Sequence, residues 1–388
     1  MTASVPAKPR YPELESLRGL AACVVVVHHC LLTSPLIYPY NPATAVEWVR
    51  GLTFTPLHLV WAGYEAVVLF FVLSGFVLTL GVWEGRSLKM EAFIVRRIWR
   101  IWVPFVPVVA LAYLAGALLG NSPLPQVSTW FNSIWVEAGP RAFLEHLLML
   151  GQMDQFGSAF IPVVWTLKYE LWLSLLLPLV VLIARQKLWM AVLMSGASSL
   201  LAFHLTGDTL PRIVEFLPMF VTGALLARFH THLRSWAAQH SSAFNGLLLA
   251  LAGVLAIFSW LVYPANTEVQ RSATDLSIIA GAALLVVLAL GWPTLRQMLL
   301  LAPLRWLGQV SFSVYLLHTL VLTVMVRLAW FPVWVVMMLT LPLTLLLAGL
   351  YHRWVERPAM QMGRRLTSSP SALPSQPAEA GVSLTQPR

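Results

Sequence analysis

Arg18 and His29 stand near the two ends of LESLRGLAACVVVVHHC, residues 14–30, a run otherwise apolar enough to enter a membrane. A charged side chain at a bilayer centre costs on the order of 2.5–3.5 kcal/mol on insertion scales, so an ionisable residue kept there points to a functional site. Eleven helical steps of about 100° bring the two side chains to one face, about 16 Å apart along the axis. Arg18 then lies at the membrane interface and His29 near mid-membrane. The imidazole suits general-base chemistry; the alternative is a hydrogen-bonded interior histidine below a topogenic arginine. His28 points about 100° away from His29, so the contiguous HHC cannot form one compact metal site on a single helix.

Three further groups carry polar chemistry into apolar surroundings. In FIVRRIWRIWVPF, residues 93–105, Arg97 and Arg100 are three apart and neighbour each other on a helix. Two guanidinium forks at a membrane mouth suit the phosphates of an anionic ligand, although topogenic charge or lipid headgroup contact would place them there too. In VVWTLKYELWLSLLLPL, residues 163–179, Glu170 enters an apolar helix. It could orient an imidazole, act as a base or hold a sugar hydroxyl, or it could pair with an arginine from another span. In SFSVYLLHTLV, the residues Ser311, Tyr315 and His318 share a face at spacings of four and three. Their expected role is hydrogen-bonded packing. Ser74 and Gly75 in FFVLSGFVLT are read as a close helix contact. No phosphate-binding loop, zinc spacing, nucleophile elbow or dinucleotide fingerprint is present.

The elements that must position these groups are membrane helices. Of 388 residues, 58% are hydrophobic and only 11% charged, against roughly 25% charged in soluble domains. Hydropathy predicts an all-α bundle of about ten spans, near 17–37, 60–82, 101–120, 161–184, 188–206, 212–229, 244–263, 273–292, 307–328 and 333–353. The first is read as a retained helix rather than a cleaved signal, since no small-residue cleavage site follows it. The net charge of +9 is distributed in clusters that alternate between sides. Lys8, Arg10, Arg86 to Arg100, Arg185, Lys187, Arg228, Arg234, Arg296, Arg305 and Arg353 to Arg365 share one side, and single arginines such as Arg50, Arg141 and Arg271 the other. This places both termini in the cytoplasm and gives no sign of nucleic-acid binding. Residues 1–13 form a cytoplasmic segment, 14–366 the membrane domain and 367–388 a disordered, Ser/Pro-rich tail. The loop 121–160, with Trp130, Trp135, Phe143 and the run Leu144–Leu150, is read as interfacial or re-entrant. Cys23 and Cys30 lie seven residues, or about 10 Å, apart on one helix and are free thiols.

In this order, LESLRGLA followed by His29, GYEAVVLFFVLSGFVLT, RRIWRIWVPF, WTLKYE, SFSVYLLHT and HRWVERPAMQMGRRL resemble the membrane acyltransferase-3 family of bacterial O-acyltransferases. The resemblance spans roughly residues 14–366 and includes the family's Arg-x10-His pattern. Glu15 stands where Asp is common and Thr166 where Ser is common. The SGNH esterase-like domain frequent in the family is not found, so a second acyl-transfer step within the chain is not expected.

The resemblance implies transfer of an acyl group, usually acetyl, from an acyl-CoA donor to a sugar hydroxyl on an envelope or exported glycan, or on a glycosylated metabolite. His29 and Glu170 would be catalytic. His29 would take the acceptor proton or carry the acyl group, and Glu170 would orient His29 or the acceptor. Arg97 and Arg100 would hold CoA phosphates, with Arg18 on phosphate or the pantetheine-side carbonyl. No metal is expected. The implied partners are a carbohydrate or glycoconjugate acceptor and the lipid bilayer of the inner (plasma) membrane, with a homo-oligomer open and no nucleic acid. Two other readings explain the intramembrane charges: a proton-coupled transporter or flippase of a glycan or lipid-linked substrate, and a haem held between His29 and His318.

Overall fold

A computed structural model describes residues 11–39, 44–135, 139–150, 160–202, 209–262, 268–328 and 331–368. Among these residues there is no strand. The main helices are α1 (Pro12–Leu32), α2 (Gly63–Trp83), α3 (Met90–Leu119), α4 (Val164–Leu175), α5 (Leu177–Arg185), α6 (Leu188–Ala202), α7 (Thr209–Arg228), α8 (Ser242–Ala256), α9 (Glu268–Gly291), α10 (Ala302–Leu328), α11 (Val333–Tyr351) and α12 (Arg357–Leu366). A π-turn, His352–Glu356, joins the last two, and its Glu356 carboxylate accepts from Ser313 at 2.5 Å and pairs with His352 at 2.9 Å.

Seven described helices are long and apolar enough to cross a membrane, or eight if the bent pair α4–α5 is one span. Each of the ten expected positions carries a helix, but hydropathy reports apolarity rather than where a helix stops. α8 has 15 residues, which reach about 22 Å of a hydrocarbon layer about 30 Å thick; α6 is described over Leu188–Ala202, and residues 203–208 after it lie outside the described residues. α4 and α5 meet at 62°. Pro178 explains the break, because it lacks an N–H and its ring opposes the Ser174 carbonyl one turn back. Lys8, Arg10, the Arg271 side chain and the tail from residue 369 lie outside the described residues.

Lipid offers no hydrophobic force between helices, so close packing depends on small residues. α1 starts with Pro12 in its first turn and with Glu13 and Glu15 against the helix dipole. Glu13 pairs with Arg296 at 3.2 Å, and the Ser16 hydroxyl donates to the Leu299 carbonyl at 2.7 Å. Past that anchor the backbones of α1 and α10 touch. A Cβ on Gly19 would meet the Gly308 nitrogen at 2.7 Å, and one on Gly308 would meet the Glu15 carbonyl oxygen at 2.5 Å. The two helices run parallel from this contact, so ten residues further along each, His29 faces His318. Gly75 and Gly223 make the equivalent contact between α2 and α7, where added Cβ atoms would lie 2.3 Å and 2.0 Å from Phe220 and Val72 carbonyl oxygens. Ser74 is positioned by that contact.

The described part of the 121–160 loop folds into the bundle more deeply than an interfacial segment would. Trp130, Phe131, Ile134 and Trp135 are buried. The Ser128 hydroxyl donates to the Leu32 carbonyl at 2.5 Å and its N–H to that of Thr33 at 2.9 Å, tying the loop to the end of α1. In the helix Pro140–Leu147, His146 is buried while Leu144 is exposed, as are Leu148 and Leu150 just beyond it. Residues 151–159 lie outside the described residues.

Candidate active site

Two polar centres lie in the bundle, one at the Arg18 end of α1 and one at its His29 end. In the first, Arg97 enters from α3, only 5% exposed. Its Nη2 contacts Glu170 Oε1 at 2.9 Å, and its Nη2 and Nε donate to the Ser174 hydroxyl at 2.7 Å and 3.1 Å. The Ser174 hydroxyl in turn donates to the Glu170 carbonyl at 2.5 Å, and Ser74 donates to Glu170 Oε1 at 3.1 Å. Glu170 therefore makes the last of the contacts open to it in the sequence, pairing with an arginine from another span. Arg18, Arg97 and Arg100 all act electrostatically on this one carboxylate. Three guanidinium groups around one carboxylate leave a local excess of positive charge in a low-dielectric setting, an arrangement suited to a polyanion.

Above this centre a cleft of about 390 Å³ is lined by Arg18, Glu170, Thr166, Tyr315 and Ser311, with Phe70, Phe71 and Phe312 among its apolar walls. Arg18 Nε is buried there with no hydrogen-bond partner. An orphaned buried donor costs about 1–3 kcal/mol, a cost that a bound acceptor removes. Thr166 donates to the Val163 carbonyl at 2.8 Å and meets the Tyr315 hydroxyl at 2.6 Å. The Thr that departs from the resemblance thus makes hydrogen bonds that a Ser hydroxyl at the same place could make.

At the other end, His29 Nδ1 lies 2.9 Å from His318 Nε2, and His318 Nδ1 lies 3.2 Å from the Val314 carbonyl. Trp130 stacks on the His29 ring with centroids 5.1 Å apart and planes at 17°. Tyr315 lies between the cleft and this pair, 5.9 Å from the His318 ring centre. His318 was legible as polar and face-sharing, and His29 was paired with it only in the haem reading, not by direct contact. Trp130 carried no sequence signal beyond being aromatic in a long loop, and Ser174 carried none. Two ring nitrogens 2.9 Å apart are closer than the roughly 4 Å that two metal–nitrogen bonds of about 2 Å span, so the geometry does not fit a haem iron between them. Among the described residues no group of three or more metal-ligating side chains is found.

His28 faces elsewhere, as its angular offset requires. Its Nδ1 lies 2.9 Å from the Trp61 carbonyl, and its ring fills the space that a Cβ on Gly63 would occupy. Beyond it, His58 on the turn Pro56–Val60 is fully buried, with ring centroids 4.1 Å from Trp260 and 4.5 Å from Trp61. Burial, and then the charge of His28, push the His58 pKa down to about 3. The fold therefore holds His58 neutral. Its contribution is complete above the unfolded value near 6.5 and is lost as pH falls from there toward about 3. The thermal midpoint of the detergent-solubilised protein is expected to drop over that window, with a smaller drop in His58→Phe; equal drops in both would remove His58 from the account.

The chain matches a protein-family model described as an acyltransferase domain over residues 11–353. Nodulation protein 10 of Rhizobium leguminosarum bv. viciae is 26% identical over 374 residues, covering 91% of this chain and 94% of that protein. Peptidoglycan O-acetyltransferase OatA of Listeria monocytogenes is 23% identical over 388 residues, covering 91% of this chain and 56% of that protein. O-acetyltransferase PaAT-1 of Phomopsis amygdali is 28% identical over 189 residues, 40% of this chain and 37% of that protein. No solved structure matches the chain.

Proposed function

This chain belongs to the acyltransferase family, and from that premise we propose that it is a membrane-embedded O-acetyltransferase that moves an acetyl group from cytosolic acetyl-CoA to a sugar hydroxyl of an envelope or exported glycan. The family membership favours this over the transporter reading, which accounts for buried charges but not for a group-transfer family. The peptidoglycan O-acetyltransferase among its relatives supports a glycan acceptor. In this reading the protein lies in the inner membrane with both termini cytoplasmic, so that the Arg18 end of α1 faces the donor pool.

The observation that carries the proposal is a series of polar groups set along apolar helices. It runs from Arg97 and Glu170, through the cleft with the orphaned Arg18 Nε, to Tyr315 and the His318–His29 pair. Arg97 and Arg100 hold donor phosphates at the mouth. Glu170 fixes the Arg97 fork, and Arg18 donates to an oxygen of the donor inside the cleft. His29 removes the acceptor hydroxyl proton as that oxygen bonds to the acetyl carbonyl carbon. The C–S bond then breaks, and the departing thiolate takes the proton from the imidazolium. The aromatic side chains that wall the cleft exclude water, which would otherwise hydrolyse the thioester.

The test supplies acetyl-labelled acetyl-CoA to membranes containing the protein and follows label into the glycan fraction alongside free CoA release. Label is expected in glycan together with stoichiometric thiol release. Thioester consumption at the level of control membranes, with several glycan acceptors supplied, overturns the proposed donor and acceptor.

A further inference from the structure

We propose that His318 is a positioning residue that fixes the tautomer of His29, so that the Nε2 lone pair of His29 is the one presented to the reacting proton. The proposal rests on the reading of His29 as the general base and extends it to a residue whose spacing alone pointed to packing. A carbonyl oxygen can only accept, so the 3.2 Å contact from His318 Nδ1 to the Val314 carbonyl puts the His318 proton on Nδ1. The Nε2 of neutral His318 is then an acceptor. At 2.9 Å it takes the proton on His29 Nδ1, which leaves His29 Nε2 unprotonated. The reference point of this chain of bonds is a backbone carbonyl inside α10, which cannot rotate.

One other acceptor acts on the His29 ring, the Val25 carbonyl one turn back on α1, and the His318 variants below leave it in place, so they separate its influence from that of His318. Trp130 covers a face of the ring, where no nitrogen lone pair points. The facing titratable groups are His318 on α10 and His28 on α1, and His28 directs its Nδ1 to the Trp61 carbonyl. His318 is fully buried, so solvent does not exchange its partner. The glycine contact between Gly19 and Gly308 sets the parallel register that places the rings opposite each other. When His29 accepts a proton at Nε2, its Nδ1–H bond to His318 becomes charge-assisted, which stabilises the imidazolium that forms during transfer.

Three variants separate positioning from packing. His318→Gln carries an acceptor oxygen about where Nε2 sits. His318→Asn keeps a polar group near Val314 but is too short to reach His29, and His318→Leu removes both. The Asn and Leu proteins are expected to lose about 10²–10⁴-fold in kcat, with the acetyl-CoA KM unchanged, while Gln recovers at least about tenfold of that loss. In histidine-¹⁵N-labelled protein, His29 is expected to be protonated on Nδ1 in the wild type and in the Gln variant. It should revert to the Nε2-protonated form in Asn and Leu. A Gln variant no more active than Asn, or His29 nitrogen signals unchanged in Asn and Leu, overturns the proposal. The nitrogen signals require no donor. A wild type that transfers nothing therefore sinks the acyl-transfer reading, while the imidazole signals still decide whether His318 sets the tautomer.

Discussion

His29→Ala is expected to lower acetyl transfer by about 10²–10⁴-fold in kcat, the range over which a positioned general base contributes. The loss is confined to chemistry because of where His29 lies. It sits about 16 Å along α1 from Arg18, so the arginine cluster at the donor mouth keeps its geometry. Donor KM should therefore stay within a few-fold of wild type. Removing the ring also leaves a cavity under Trp130 and beside His318, so protein amount and thermal midpoint must be matched before rates are compared. The measurement is label transferred from acetyl-CoA into glycan, in membranes carrying equal amounts of the two proteins. Transfer by His29→Ala within about threefold of wild type would take the base role from this residue and leave the two-histidine centre with a packing function.

The second large effect is on stability and comes from the Arg97–Glu170 pair. Removing one partner of a buried ion pair leaves the other charge uncompensated, at a cost of about 3–5 kcal/mol. Glu170→Ala is the more severe single change, because it removes the carboxylate on which Arg18, Arg97 and Arg100 all act. It also orphans the Ser74 hydroxyl. Arg97→Met leaves Glu170 with Ser74 and costs less. Arg97→Lys is not conservative here, since a single ammonium cannot reproduce the fork that meets both Glu170 and Ser174. The double change Arg97→Met with Glu170→Leu should regain most of the lost stability, because an apolar pair replaces an ionic one in an apolar setting. It should still bind acetyl-CoA poorly. A double-mutant cycle of thermal stability in detergent tests this, and losses that simply add would show that the two residues do not depend on each other.

Much of this was readable one helix at a time. The low charge and the recurring apolar runs specify a helical membrane protein, because lipid allows a spanning backbone no other locally satisfied form. Helical periodicity put Arg18 and His29 on one face and turned His28 away, and it grouped Ser311, Tyr315 and His318. Pro178 was visible, but the 62° break it makes depends on how α4 and α5 pack, and the shortness of α8 does not show in hydropathy. The direct partner of each polar group was open in the sequence. Glu170 could equally have met an imidazole or a guanidinium, since both residue types occur at suitable depth. Arg97 became its partner because α3 and α4 converge there and Ser174 supplies the second acceptor. His318 faces His29 because Gly19 and Gly308 let two backbones touch in one register. A shift of one residue in that register would rotate the two rings about 100° apart. Residue type and period, set by local sterics and by the cost of polar groups in lipid, are properties of the sequence by itself. Pairing across helices depends on angular differences of this size and on which small residues meet, and those belong to the tertiary structure.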